Sequence, residues 1–245
     1  MKKRLFSLIV IMAGTVLFGG CSPTSTAQRV IGAGERVSQT TQTNFFTGVT
    51  LVGNGVVNFH QSTESSVSVE MYENLFDYLE IEVRNGVLYI GFRSGISIQL
   101  GDQGKRIDVF APTLESLTVD GAFTTGHWDV IEAEGFRIDI SGAGSFYFNM
   151  EAEFFEANIV GAATVTLSGT ANIANINVTG IGRANAANLQ TVTANVDLIG
   201  EGAVEIAVSD NLDASVTGMG TVLYIGNPVV TRNIVGPGTV VGRND

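Results

Sequence analysis

The stretch Ala174-Asn175-Ile176-Asn177-Val178-Thr179-Gly180-Ile181-Gly182 is answered further along by Ala194-Asn195-Val196-Asp197-Leu198-Ile199-Gly200-Glu201-Gly202. The two segments match in chemistry position by position, and each closes on Gly-x-Gly. With the first glycine of each pair as origin, the pattern returns at Gly142, Gly161, Gly180, Gly200, Gly218 and Gly236, at a near-constant interval. Gly121 is a looser earlier member. A short, regular repeat marks a unit that cannot bury its apolar face alone and must stack on its neighbours.

Two positions before the origin stand Ile140, Ile159, Val178, Leu198, Val216 and Ile234, all branched and apolar. Four before it stand Ile138, Ala157, Ile176, Val196 and Ala214, a column broken only by Arg232; six before it are Phe136, Phe155, Ala174, Ala194 and Leu212. The columns between are polar. Position minus three holds Asp139, Asn158, Asn177, Asp197, Ser215 and Asn233, and minus five holds Arg137, Glu156, Asn175, Asn195 and Asp213. Alternation with period two is the strand signal, because successive side chains point to opposite faces. After the glycines, Phe146 and Phe148, Val165 and Leu167, Ala184 and Ala186, Val204 and Ile206, Val222 and Tyr224 mark a second inward strand per unit.

Two short strands in a coil of about 19 residues leave no room for a helical crossover. The expected class is therefore all-β, a right-handed parallel β-helix (solenoid) whose coils stack ~4.8 Å apart. Glycine fits the corner between strands because positive φ or close backbone approach carries no Cβ penalty there. A dinucleotide cradle would need a third glycine and a following helix, and neither Gly180-Ile181-Gly182 nor Gly200-Glu201-Gly202 has them.

Upstream the same grammar is visible in Val49-Thr50-Leu51-Val52-Gly53-Asn54-Gly55, with Val57 and Phe59 on the inward parity. Three strands are expected at residues 67–71, 79–83 and 87–92. The last two are joined by Arg84-Asn85-Gly86, a hairpin signal because Asn-Gly adopts the positive φ of a two-residue turn. Residues 91–104 read as a glycine-rich loop and 107–110 as a returning strand. The domain is thus expected over 44–241, with irregular coils at 44–112 and regular ones at 113–241.

Met1-Lys2-Lys3-Arg4, the apolar run Leu5 to Leu17, and Leu17-Phe18-Gly19-Gly20 before Cys21, the one cysteine, resemble a bacterial lipoprotein signal. The run is short for a membrane span. Residues 1–20 are expected to be removed, Cys21 to carry lipid, and 21–43, rich in Ser, Thr and Gln, to act as a tether. Losing Lys2, Lys3 and Arg4 takes the formal charge from −11 to −14. Nucleic acid is excluded as a partner, since affinity for phosphate rests on basic clusters. Ser22 after the cysteine carries no acidic retention signal and points to the outer membrane of the cell envelope. A lone cysteine forms no disulfide framework.

Phe45-Phe46-Thr47-Gly48-Val49 running into Val56 to Gln61, the segment Asn85-Gly86-Val87-Leu88-Tyr89-Ile90, and the ending Gly218-Met219-Gly220-Thr221-Val222-Leu223-Tyr224-Ile225-Gly226-Asn227-Pro228 then Gly236-Pro237-Gly238 resemble the head GIN domain family, also called putative autotransporter adhesins. The resemblance spans residues 44–241. It implies a β-helical envelope lipoprotein without catalytic residues, and an adhesive role that the family name itself only infers.

Against enzymatic chemistry, Asp139 and Asp197 share a column but lie three coils apart, about 14 Å, too far for a carboxylate pair. A polysaccharide-active enzyme would need convergent carboxylates, and an envelope scaffold would need no ligand. Pairs such as Arg137 with Asp139, or Arg183 with Glu201, read as surface ion pairs. His127-Trp128-Asp129 offers too few ligands for a metal, and Trp128 reads either as folded over the core or as a carbohydrate-stacking platform. The leading expectation is a noncatalytic, lipid-anchored protein without cofactor or metal. Its polar face, Asp139, Asn158, Asn177, Asp197, Ser215, Asn233 and Trp128, would meet a glycan or a cell-surface or envelope protein.

Overall fold

A computed structural model of the protein describes residues 28–101 and 104–243. The signal segment expected over 1–20 and Cys21 lie outside these residues. Fifteen strands follow in order: β1 (Gln28–Ile31), β2 (Arg36–Gln42), β3 (Gly48–Gln61), β4 (Ser66–Tyr72), β5 (Leu79–Arg84), β6 (Val87–Phe92), β7 (Ile96–Gln99), β8 (Arg106–Ala111), β9 (Ser116–Trp128), β10 (Ile131–Gly180), β11 (Arg183–Gly200), β12 (Ala203–Gly218), β13 (Thr221–Ile225), β14 (Val229–Val235) and β15 (Thr239–Arg243). A short 3-10 turn occupies Glu73–Tyr78. The architecture is all-β, with one large mixed sheet of 13 strands, not closed into a barrel, and a two-stranded sheet of β1 and β7. Among the described residues no helix is long and apolar enough to cross a membrane.

The repeat read from the sequence is the register of the sheet. β10 pairs with β11 in parallel, Val178 beside Leu198 and Gly180 beside Gly200; β11 pairs with β12 the same way, Leu198 beside Val216 and Gly200 beside Gly218. β12 then carries β13 and β14, with Val216 beside Ile234. β10 is 50 residues long and runs through Gly142 and Gly161, whereas β10, β11 and β12 end on Gly180, Gly200 and Gly218. The first glycine of each pair takes the positive φ, from 111° at Gly236 to 133° at Gly142. Gly144 shares this conformation, at φ 144°, but the second glycine of the later pairs has a different constraint. A Cβ on Gly220 would lie 2.5 Å from the Leu198 side chain, and one on Gly238 2.5 Å from Val216, so these positions are emptied to let the inward branched column close over them.

The inward columns form one continuous core. Ile140, Ile159, Val178, Leu198 and Val216 are buried, as are Phe136, Phe146, Phe148 and Phe155 and the Ala-rich positions between. Phe136 meets Phe148 edge-on at 5.7 Å between ring centroids, a favoured aromatic geometry. Full burial of each such side chain contributes on the order of 1.5–3 kcal/mol against chain entropy. The column ends at Ile234, which is 42 % exposed because its strand, β14, pairs with β12 alone among the described residues. Arg232 breaks the inward pattern in this same strand and instead reaches Tyr224, donating to its hydroxyl at 3.1 Å.

The N-terminal half departs from sequence order. β3 lies in register under β9, with Leu51 beside Val119 and Gly53 beside Gly121, although β4 to β8 intervene along the chain. On its other side β3 is flanked by β6 and β8. The intervening chain supplies the antiparallel pairs β2–β4 and β4–β8 and the hairpin β5–β6, whose turn at Asn85 (φ 51°) and Gly86 (φ 78°) is the one expected. Two expectations give way to strands. Residues 91–104 contain β7, and the tether drawn over 21–43 contains β1 and β2. In both, residues compatible with extended backbone find an edge to pair with: β1 with β7, β2 with β4.

Candidate functional site

Parallel stacking at a fixed offset places like residues in rows, and the polar row three positions before the glycines is hydrogen-bonded from Asp139 to Asn177. Asn158 donates Nδ2 to Asp139 Oδ1 at 2.8 Å, and Asn177 donates Nδ2 to Asn158 Oδ1 at 2.8 Å. Asp197, Ser215 and Asn233 continue the row in register. One column over, Asn195 donates to Asn175 at 2.8 Å. Arg137 anchors the row, its guanidinium bonding Asp139 at 2.7 and 3.0 Å and Glu156 at 3.0 Å. The Arg137 hydrogen bonds outweigh burial and hold the Asp139 carboxyl below the usual carboxylate range, and the same contacts raise Arg137. Arg183 and Glu201 form no such pair. The row borders an open depression of about 310 Å³ over Thr118, Asp120, Asp139, Ser141, Asn158 and Val160.

Trp128 does not lie in this row. It is half-buried at the end of β9, its ring 5.6 Å from Phe59 and edge-on to Phe148 at 5.0 Å, with Nε1 enclosed. Just before it, β9 carries one residue more than β3: Gly126 and His127 together stand opposite Asn58 between the Val57–Thr125 and Phe59–Trp128 pairs. Such a bulge re-aims the side chain beside it. Asn58 fastens it by accepting from the His127 backbone N–H at 2.7 Å, while Thr125 turns its hydroxyl to accept from the Tyr147 N–H at 2.7 Å.

The bulge brings together both histidines of the chain. The His127 ring stacks on His60 at 4.9 Å and His60 on Phe110 at 4.8 Å. His127 Nε2 lies 2.9 Å from Asp129 Oδ1, and His60 Nε2 lies 3.3 Å from Asp108 Oδ1. Asp129 Oδ2 accepts from the Gln61 backbone N–H at 2.8 Å, and that bond first, then His127, lowers its pKa. Burial pulls Asp108 up, but hydrogen bonds from Asn58 and His60 and the charge of Arg106 outweigh it and lower the carboxyl. His60, Asp108 and Asn58 carried no signal in the glycine frame. Counted from Gly53 and Gly121, Phe59 stands at plus six and its register partner Trp128 at plus seven, so the match between the two segments is visible only once the bulge is known.

A family model described as putative auto-transporter adhesin, head GIN domain, matches residues 45–228. The chain belongs to this family. No curated protein sequence matches it. Among solved structures, this head GIN domain chain is similar to a putative adhesin from Bacteroides fragilis, at 19% identity and a TM-score of 0.82, over 87% of this chain and 100% of that one. It is similar to a putative lipid binding protein from Parabacteroides distasonis, at 21% identity and a TM-score of 0.71, over 89% of this chain and 100% of that one. It is also similar to a putative adhesin from Parabacteroides merdae, at 19% identity and a TM-score of 0.69, over 89% and 100%. These likenesses are of fold.

Proposed function

We propose that the chain is a noncatalytic adhesion or ligand-binding protein of the bacterial cell envelope, wound as a right-handed parallel β-helix and held by lipid on Cys21, in the outer membrane. The coils are short and regular through 113–241 and longer and looped through 44–112. The near-constant offset between paired strands and the single interior shared by the inward columns support the winding. The basic, apolar and small-residue pattern ahead of Cys21 supports the anchor, and Cys21→Ala is expected to move the protein from the membrane to the soluble fraction of cells. The family's adhesin description supports an adhesion-like role.

The observation that carries the binding reading is the row Arg137–Asp139–Asn158–Asn177. Its hydrogen bonds fix polar side chains at strand spacing on an open face, so ordering them at the moment of contact costs little. Repeating amide and carboxylate groups about 4.8 Å apart suit a flat partner with its own regular hydroxyl or amide groups, a surface glycan or a strand-rich envelope protein. The test is binding of purified protein to a glycan array and to envelope extracts, with the triple variant Asn158→Ala, Asn177→Ala, Asp197→Ala as comparison. Binding present in the parent and lost in a folded triple variant is expected; equal binding by both would remove the row from the function.

A further inference from the structure

We infer that His60, His127 and Asp129 form a binding site for a divalent transition metal ion of the borderline class, zinc, nickel or copper. One ligand atom from each lies within 4.8 Å of the other two, in the single such group of His, Cys, Asp or Glu among the described residues. Two imidazoles and one carboxylate are the donor set that zinc, nickel and copper share, whereas calcium and magnesium call for all-oxygen shells. Bond lengths of about 2.0–2.2 Å require the three atoms to draw in from their present separation. Side-chain rotation supplies this, because His127 and Asp129 are on the open face and His60 is only partly covered.

Support around the three ligands distinguishes the site from a chance meeting of surface groups. Asp129 has one oxygen tied to the Gln61 N–H, which leaves Oδ1 turned toward His127. His127 is aimed by a bulge whose backbone N–H is held by Asn58. Asn58 also donates to Asp108 at 2.7 Å, and Asp108 faces His60 Nε2. A carboxylate behind a ligating histidine orients the ring and raises its basicity. Asp108 can play that part, or fill a fourth position. The chain as a whole is acidic, with a formal net charge of −11, and the nearby cation Arg106 is paired with Asp108 at 3.1 Å. The site would clip β3 to β9, a junction in the stack where neighbouring strands are far apart in sequence.

The untagged full chain, stripped with chelator, should take up one equivalent of zinc in a calorimetric titration, and its thermal midpoint should rise with added metal. His127→Ala and His60→Ala should each weaken binding by about tenfold or more. His127 is exposed, so its variant should keep the circular dichroism and metal-free midpoint of the parent, which separates loss of a ligand from loss of fold. With copper, electron paramagnetic resonance should show two imidazole nitrogens in the parent and one in either single-histidine variant. Absence of saturable binding at submillimolar zinc would overturn the site. So would equal zinc affinity in the parent and both folded histidine variants.

Discussion

Gly218→Ala is expected to destabilise the fold by about 2–6 kcal/mol, a loss of roughly 4–24 °C in midpoint for a domain of this size. Two costs combine. The backbone at Gly218 has φ 118°, where an L side chain is strained by about 1–3 kcal/mol, and the new Cβ would sit 2.5 Å from the carbonyl oxygen of Gly200 in the strand below. That oxygen cannot withdraw, because it accepts from the Met219 N–H at 2.9 Å and belongs to the ladder that sets the repeat. Overpacking against backbone adds roughly a further 1–3 kcal/mol. Gly135→Ala is the matched control. Its Cβ would meet nothing nearer than a carbonyl oxygen at 3.9 Å, and its φ lies outside the positive region, so a change within about 0.5 kcal/mol is expected. Chemical denaturation of the two variants beside the parent measures both, and equal effects would contradict the role given to the stacked glycines.

Lys105→Met is expected to stabilise the protein at pH 7, by on the order of 2–3 kcal/mol. Lys105 is 1 % exposed, and its Nζ has no hydrogen-bond partner; it lies over the rings of Phe92 at 4.8 Å and Phe123 at 5.6 Å. Cation–π contact returns only part of the desolvation cost. Burial accordingly pushes the amine from 10.5 down to about 8. Below about pH 8 both folded and unfolded chains carry the proton, and the folded state bears the full penalty. Between about 8 and 10.5 the unfolded chain holds more proton than the folded one, so stability rises with pH; above 10.5 the penalty is gone. The difference between Lys105→Met and parent should therefore be largest at neutral pH and shrink steadily toward pH 10.5. Urea unfolding of the pair across that range is the measurement, and a pH-independent difference would show that Lys105 is not neutralised by folding.

The inward columns from Phe136 to Val222 were legible because near-constant unit length keeps the alternation in phase, so that minus two, minus four and plus four each name a buried residue. The Asn85-Gly86 turn was legible because its φ angles admit few residue pairs. Arg232 was visible as a break and lies in β14, which among the described residues pairs with β12 alone and is open on its other side. What the sequence hid is non-local. Nothing in residues 48–61 says that they lie between 87–111 and 116–128, since the joining chain is a long excursion with antiparallel pairs of its own. The histidine cluster follows from that placement and from a one-residue bulge. Lys105 lies outside the glycine frame, and nothing in that frame marks it as a buried amine set over two phenylalanines. The amide row was visible as a polar column, but its hydrogen bonds along Asp139, Asn158 and Asn177 depend on an offset held constant to the residue.

Nitroxide labels read that offset in solution. Thr164, Arg183, Ala203, Thr221 and Thr239 are successive register partners. In a cysteine-free background, labels at Thr164 and Ala203 are two strand spacings apart, about 10 Å, and labels at Thr164 and Thr239 four spacings apart, about 19 Å before the reach of the labels is added. Stacked parallel units give a dipolar distance that lengthens by about 9–10 Å between the two pairs, in equal steps through Thr221. A distance that stays constant, shortens, or jumps irregularly along the series would contradict the stacking on which the interior, the polar row and the clipped β3–β9 junction all depend.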